Sequence, residues 1–453
     1  MICLLPHCGY LSETSRMLEL RRALRARGAD VRVATHGGTY EHLLDPGYDL
    51  IGPPMSAERA AAFVRDGVGL GSPDQSMYSD DELRAYVRAE VDYFRRHDVT
   101  TVVTGFTLTT LLSSRVAGVR LVTEHAGSFV PPLFEHGLVP PPAERLARWQ
   151  RAMPGSVVRR RYGRTVPGLP FYCAGFNRVA AELGVPGVPG LAALLLGDLT
   201  LVPEIPEVLG LPAAAVDGWV PGPMYRPETR LRCTGPLFAR LEQPVPDEVQ
   251  RFLDAPGPLV YVAITSSGVG LVRSVLEALA PLAVKVLVAA TVHDRTALAD
   301  VTGTAKFLVA GVLPSHRIMP RADLAVTAGG QGSVQTAMAS GTPLLGIPLQ
   351  PEQLLNVALV ERLGAARSVP SGQATVSRLR RVARRMLGDP SYRRAAERIH
   401  DRYADVDGAA LAAEAILDGE AIVPRAGASG AGASGAGASR AGGRESEKWG
   451  GDA

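Results

Sequence analysis

The chain alternates short apolar runs with amphipathic stretches, and it does so twice. Residues 2–5 form an unbroken apolar run. Residues 14–27 carry apolar positions at helical spacing up to Gly28, and 31–35 alternate in and out. This reads as strand, helix, strand, the signature of a parallel sheet. Residues 100–104, 108–117, 119–123 and 199–202 continue it as strand, helix, strand and strand. The pattern lapses over the turn-rich residues 218–243 and then restarts. Strands are expected at 259–264, 284–290, 306–309 and 324–327, with a helix over 271–279. The predicted class is α/β with two doubly wound, Rossmann-like domains facing a cleft. The expected divisions are 1–225, a linker at 226–243, 244–390, C-terminal helices at 391–424 that pack back on the first domain, and a Gly/Ala/Ser tail at 425–453. Residues 131–170, rich in Pro and Arg, are expected to be lid-like.

One segment carries most of the chemistry. After residues 324–327, Gly329, Gly330 and Gly332 bring bare backbone to one point, and a helix can begin by Ser333. A glycine turn feeding a helix N-terminus offers free N–H groups and a positive dipole end, which suits a diphosphate. Further on, Glu352 and Gln353 place a carboxylate beside an amide, a pair able to hydrogen-bond the hydroxyls of a sugar. In doubly wound sheets ligands bind beyond the carboxyl ends of strands, where both this loop and Ser266 are expected.

The full spacing of Gly329, Gly330, Gly332, Ser333, Gly341, Pro343, Pro348, Gln353 and Asn356 resembles the donor motif of two-domain GT-B glycosyltransferases that use UDP- or TDP-sugars, antibiotic and macrolide enzymes among them. The family pattern runs H-G-G-x-G-T, G-x-P, P, D-Q, N. The resemblance implies a nucleotide-sugar donor, held by Ser266, Gly329 to Ser333 with Gln331, and the backbone of Val312. Glu352 and Gln353 would take the sugar. It implies a small natural-product acceptor and inverting, metal-independent transfer, with no cofactor beyond the sugar nucleotide. Glu352 replaces the usual Asp of the motif, Ala328 replaces the phosphate-side His, Glu13 falls where the basic His begins the first helix, and residues 104–107 lack the Asp that orients it. A carboxylate becomes a usable base when burial raises its pKa. The competing view of Glu13 is an ordinary helix start, capped by Ser12, whose dipole lowers that pKa. His7, after the first strand, and Glu124-His125, after another, are further candidates for acid–base work. Joint loss of family residues leaves two readings: relocated chemistry, or a degenerate partner protein that activates another enzyme.

Composition narrows the rest. With 453 residues, two domains are expected. A net charge of +3 does not argue for nucleic acid. Cys3, Cys8, Cys173 and Cys233 show no metal or redox spacing and fit a reducing cytoplasm. No signal peptide or membrane-spanning stretch is expected, and a homodimer is compatible with the pattern. Arg159, Arg160, Arg161 and Arg164 form a basic cluster, read as a solvated face or as a contact for an anionic surface.

Overall fold

The computed structural model describes residues 1–64, 75–124, 129–142, 146–237, 240–264, 268–290 and 298–419. Among these, two parallel sheets carry the architecture. The first holds seven strands: β1 (Ile2–Leu4), β2 (Val31–Thr35), β3 (Asp49–Leu50), β4 (Thr101–Thr104), β5 (Arg120–Glu124), β6 (Leu199–Val202) and β7 (Arg230–Cys233), in the order β3-β2-β1-β4-β5-β6-β7. The second holds six: β8 (Leu259–Ala263), β9 (Lys285–Ala289), β10 (Phe307–Ala310), β11 (Leu324–Thr327), β12 (Leu344–Gly346) and β13 (Ala366–Ser368), in the order β10-β9-β8-β11-β12-β13. The inner strands are short and apolar because helices cover both faces, leaving no solvent side to mark with polar residues.

The helices that shape the cleft, the domain contacts and the basic surface are α1 (Leu11–Ala26), α2 (Asp80–Arg96), α3 (Thr110–Ala117), α4 (Gly155–Thr165), α5 (Gln331–Ala339), α6 (Pro351–Arg362), α7 (Ser391–Ala404) and α8 (Gly408–Asp418). Helix α2 begins with a capping box in which Ser79 and Glu82 satisfy each other's backbone donors. Helix α1 starts three residues before the expected position 14, with Tyr10 at its N-cap and no side-chain cap. Ser12 therefore sits inside the first turn and does not cap it. Every residue from Glu13 to Met17 is buried, because this end of α1 dips between the two domains.

Two sequence expectations need correction. Residues 226–243 are not all linker, since Arg230–Cys233 pairs with β6 as the last strand of the first sheet. Its alternation of exposed and buried positions is typical of an edge strand but too short to stand out. Residues 131–170 hold helices at Pro131–Glu135, Arg148–Arg151 and α4 rather than a loose lid. Gly163 lets α4 lie against the first of these, for a Cβ there would stand 2.1 Å from the Phe134 carbonyl oxygen. The 425–453 tail lies outside the described residues.

The C-terminal helices join the domains. Helix α7 packs on α5, and α8 crosses to α1 in the first domain. Ala412, Ala413 and Ile416 are fully buried with Leu4, Leu20 and Leu24. Arg120 donates to the Ile416 carbonyl at 2.7 Å. Ile416→Ala should remove a buried branched side chain without disturbing the cleft, costing about 2–5 kcal/mol. Denaturant unfolding should show the midpoint fall, and an unchanged midpoint would contradict the clasp.

Candidate active site

In both sheets the strand order reverses beside the first strand of the fold, between β1 and β4 and between β8 and β11. Crevices form at such switch points. The structure puts sequence-selected residues at both.

In the first crevice, Glu13 Oε1 accepts three backbone N–H groups: His7 at 3.0 Å after β1, and Gly105 at 3.1 Å and Phe106 at 2.8 Å after β4. These bonds stabilise the carboxylate, yet burial outweighs them and pushes the carboxyl up to about 7. The expectation that a helix dipole would lower its pKa fails, because the group is buried between strand ends and not solvated at a helix start. Its other oxygen, Oε2, is buried without a hydrogen-bond partner. One turn along α1, the Arg16 Nε donates to Glu124 Oε2 at 2.7 Å, and both side chains are buried. Burial pushes Glu124 up to about 7 as well, against the pull of Arg16, and its Oε1 is unpartnered.

His7 has a different character. Its Nδ1 accepts the Gly9 N–H at 3.2 Å, and its ring stacks on Phe63. Burial, with His36 nearby, lowers its pKa to about 3. The ring is therefore neutral with its proton on Nε2, which makes that nitrogen a donor and leaves no free lone pair for base work. It borders a small recess lined also by Met55, Tyr78, Tyr86 and Thr107. Behind it His36 is fixed between the Ile51 carbonyl and Glu90, both at 3.0 Å, and Glu90 also accepts the Thr109 and Ser113 hydroxyls. His125 and Ser266 lie outside the described residues.

In the second crevice, Gly329 has φ +84°, and a Cβ there would stand 2.4 Å from Val357 Cγ2, so only glycine lets the loop turn this tightly against α6. Its N–H is held by Thr327 Oγ1 at 3.0 Å and its carbonyl by Asn356 Nδ2 at 3.2 Å. Gly330 is the N-cap of α5, and a Cβ there would meet nothing within 4 Å. That open space lies over the helix N-terminus. Gln331, Gly332 and Ser333 form the first turn of α5. Gln331 turns its amide toward the Pro203 carbonyl at 3.4 Å, into the first domain. Ala328 is buried and packs with the apolar cluster of the second sheet. Val312 follows β10 and is exposed.

Glu352 and Gln353 open α6 but point to different tasks. Gln353 Oε1 accepts the Leu349 and Gln350 N–H groups at 2.9 and 3.2 Å, capping its own helix. Glu352 accepts from the Asn356 amide, and the Gln331 backbone N–H also favours its charged form. Burial still pushes it up to about 7. Arg16 favours the charged form of Glu352 too, so one guanidinium from the first domain serves carboxylates of both. The domains meet closely here: a Cβ on Gly332 would be 3.3 Å from Ser12 Cβ. The Tyr10 hydroxyl is buried and unpartnered, and that burial, with Glu13 and Glu352 adding to it, holds its pKa well above the usual phenol value.

Sequence reasoning missed Arg16 and Tyr10. The available signal was an arginine three residues after Glu13, on the same helix face. It also missed Glu204, after β6, which accepts from the Tyr403 hydroxyl at 2.7 Å and from Gln335, tying the first domain to α7 and α5.

Two doubly wound domains of this topology have the fold of the two-domain GT-B class of glycosyltransferases. The fold of glycosyltransferase VinC, solved in complex with dTDP, covers 92% of this chain and 99% of its own at a TM-score of 0.61 and 18% identity. Residues 273–410 match the family model of the erythromycin biosynthesis protein CIII-like C-terminal domain. A PGL/p-HBAD biosynthesis glycosyltransferase of Mycobacterium tuberculosis (strain ATCC 25177 / H37Ra) is 26% identical over 329 residues, 72% of each chain. Oleandomycin glycosyltransferase of Streptomyces antibioticus is 34% identical over 104 residues, 23% of this chain and 24% of its own. The chain is a glycosyltransferase, and residues 273–410 are similar to those of the antibiotic and macrolide type. No helix among the described residues is long and apolar enough to cross a membrane.

The raised carboxyls have a thermodynamic consequence. Glu13, Glu124, Glu204 and Glu352 each hold a proton more tightly when folded than when unfolded. Between the ordinary carboxyl range and about 7 the folded chain binds more protons, so stability falls as pH rises through that window. Glu204→Gln removes one such group and keeps an acceptor for Tyr403. Its melting temperature should gain on that of the unaltered protein as pH goes from 5 to 8, and a constant difference across that range would contradict the assignment.

Proposed function

We propose that the protein transfers a sugar from a UDP- or TDP-sugar to a hydroxyl of a small natural-product acceptor, with inversion at the anomeric carbon. The observation that carries this reading is the pairing of two switch-point crevices. One presents the open N-terminus of α5 at Gly330. The other presents a buried carboxylate, Glu13, with one oxygen uncommitted. The dTDP named with VinC supports a nucleoside diphosphate in the equivalent place.

In this reading the backbone from Gly329 to Ser333 and the dipole end of α5 take the diphosphate, and Asn356 holds the loop in shape. Glu352 receives sugar hydroxyls, exchanging contacts it now makes within the second domain. Ser266 and the Val312 backbone complete the donor contacts by family resemblance. Glu13 Oε2 accepts the proton of the acceptor hydroxyl. The acceptor oxygen bonds to the anomeric carbon from the face opposite the diphosphate. The carbon–oxygen bond to phosphate breaks, and its electron pair leaves with the nucleoside diphosphate. Arg16, with the α5 dipole, offsets the developing negative charge. No metal enters this sequence of events. Tyr10 lines the path between Glu13 and Glu352, and His7 contributes an Nε2–H donor.

Two experiments test it. Gly330→Val should leave the melting temperature nearly unchanged, because the fold has room for the side chain, but should abolish UDP and TDP binding. Calorimetry that finds undiminished nucleotide affinity would refute the phosphate site. Glu13→Gln should lower kcat by roughly 10²–10⁴-fold, the usual worth of a general base, with little change in KM for the donor. For the unaltered enzyme, kcat/KM should rise with pH through about 7, as Glu13 loses its proton. Retention of that limb in Glu13→Gln would assign the base elsewhere.

A further inference from the structure

Between Leu146 and Phe171 the chain carries six arginines and neither Asp nor Glu, while the whole chain is only +3, so the remaining residues together are net negative. The basic character is local. The structure shows how it is displayed. Helix α4 buries Val158 and Gly163. The approach of Gly163 to the Phe134 carbonyl leaves room for no other side chain and fixes the helix's rotation. The opposite face then carries Val157, Arg160, Arg161 and Arg164, spaced i, i+3, i+4 and i+7, all exposed. The Arg161 guanidinium lies 5.8 Å from the ring centre of Trp149, which joins the Arg148–Arg151 turn to the same surface. Trp149 is 56% exposed and Val157 45%. Among the described residues, none of these arginines forms an ion pair with a carboxylate.

A surface that is merely solvated gains nothing from this composition. Like charges at helical spacing repel one another, and an exposed indole is held in water at a cost. Both penalties vanish against a surface that is negative outside and apolar just beneath. Trp and Arg suit that boundary, the indole at headgroup level and the guanidinium on phosphate. The exposed indole and Val157 set among the arginines favour a lipid bilayer, with apolar tails beneath its phosphates, over an acidic protein segment. We propose that α4 and the Arg148–Arg151 turn dock the first domain on the surface of an anionic phospholipid bilayer, peripherally and without insertion of a spanning helix.

Vesicle flotation with the full chain tests this independently of any transferase activity. Vesicles of equal phosphatidylglycerol and phosphatidylcholine should bind the protein at low salt at least tenfold more tightly than phosphatidylcholine alone. Raising the salt to about 0.5 M, where the Debye length shrinks to a few ångströms, should release it. Arg160→Glu/Arg161→Glu/Arg164→Glu should abolish binding, and Trp149→Ala should weaken it severalfold, each with an unchanged melting temperature. The altered side chains are exposed, so folding should survive. Equal binding to both vesicle types, or undiminished binding by the triple variant, would overturn the proposal. So would displacement from the vesicles by equimolar polyglutamate or duplex DNA, which would mark a different anionic partner.

Discussion

Arg16 is the shared counter-charge of the cleft. Its guanidinium pairs directly with Glu124 and favours the charged forms of Glu13 and Glu352, so carboxylates from both domains lean on one cation. Glu13 and Glu124 are buried and Glu352 is partly so, and a carboxylate taken from water holds its proton more tightly. Burial pushes all three groups up to about 7, and Arg16 pulls back against that shift in each. The base and the sugar-binding carboxylate proposed above would both draw their near-neutral proton affinity from that burial. An arginine that were absent, or a fourth carboxylate, would shift every proton in the cleft at once.

The backbone supplies the other half of the design. Glu13 stands where related enzymes are expected to have a histidine, and the carboxylate expected to orient such a histidine is also missing from residues 104–107. The two departures are one change. A carboxylate needs N–H donors, and the backbones of Gly105 and Phe106 provide them from the segment that would have carried the acid. Gly105 has to be small here, because a Cβ would come within 2.8 Å of the Glu13 carboxyl carbon.

The sequence revealed the fold through period and punctuation. The strands at 31–35, 199–202 and 324–327 were legible nearly to the residue, because buried parallel strands are continuous β-branched or apolar runs bounded by polar turns. β3, β12 and β13 were not, since two or three residues carry too little pattern, and β7 was not because it is an edge strand with alternating exposure and no apolar run. The Gly329 loop was legible because backbone geometry demands glycine there. Glu13 was found only through family spacing, and its protonation could not be read at all, for that depends on which strand ends surround it. Arg16 and Glu204 looked like ordinary polar residues of a helix and a turn. Their importance comes from contacts made across more than a hundred residues of chain.

The clasp made by α8 has a consequence for recombination. Enzymes built from an acceptor half and a donor half invite the exchange of halves between relatives. Here a single cut would not separate them. The first sheet ends only after Cys233, and Ala412, Ala413 and Ile416 return to fill the space beside Leu20 and Leu24. A hybrid joined once in the middle would mate one parent's α1 with another parent's α8. The structural unit is therefore discontinuous: residues up to β7 pack with the last helix, and the second sheet is an insert between them.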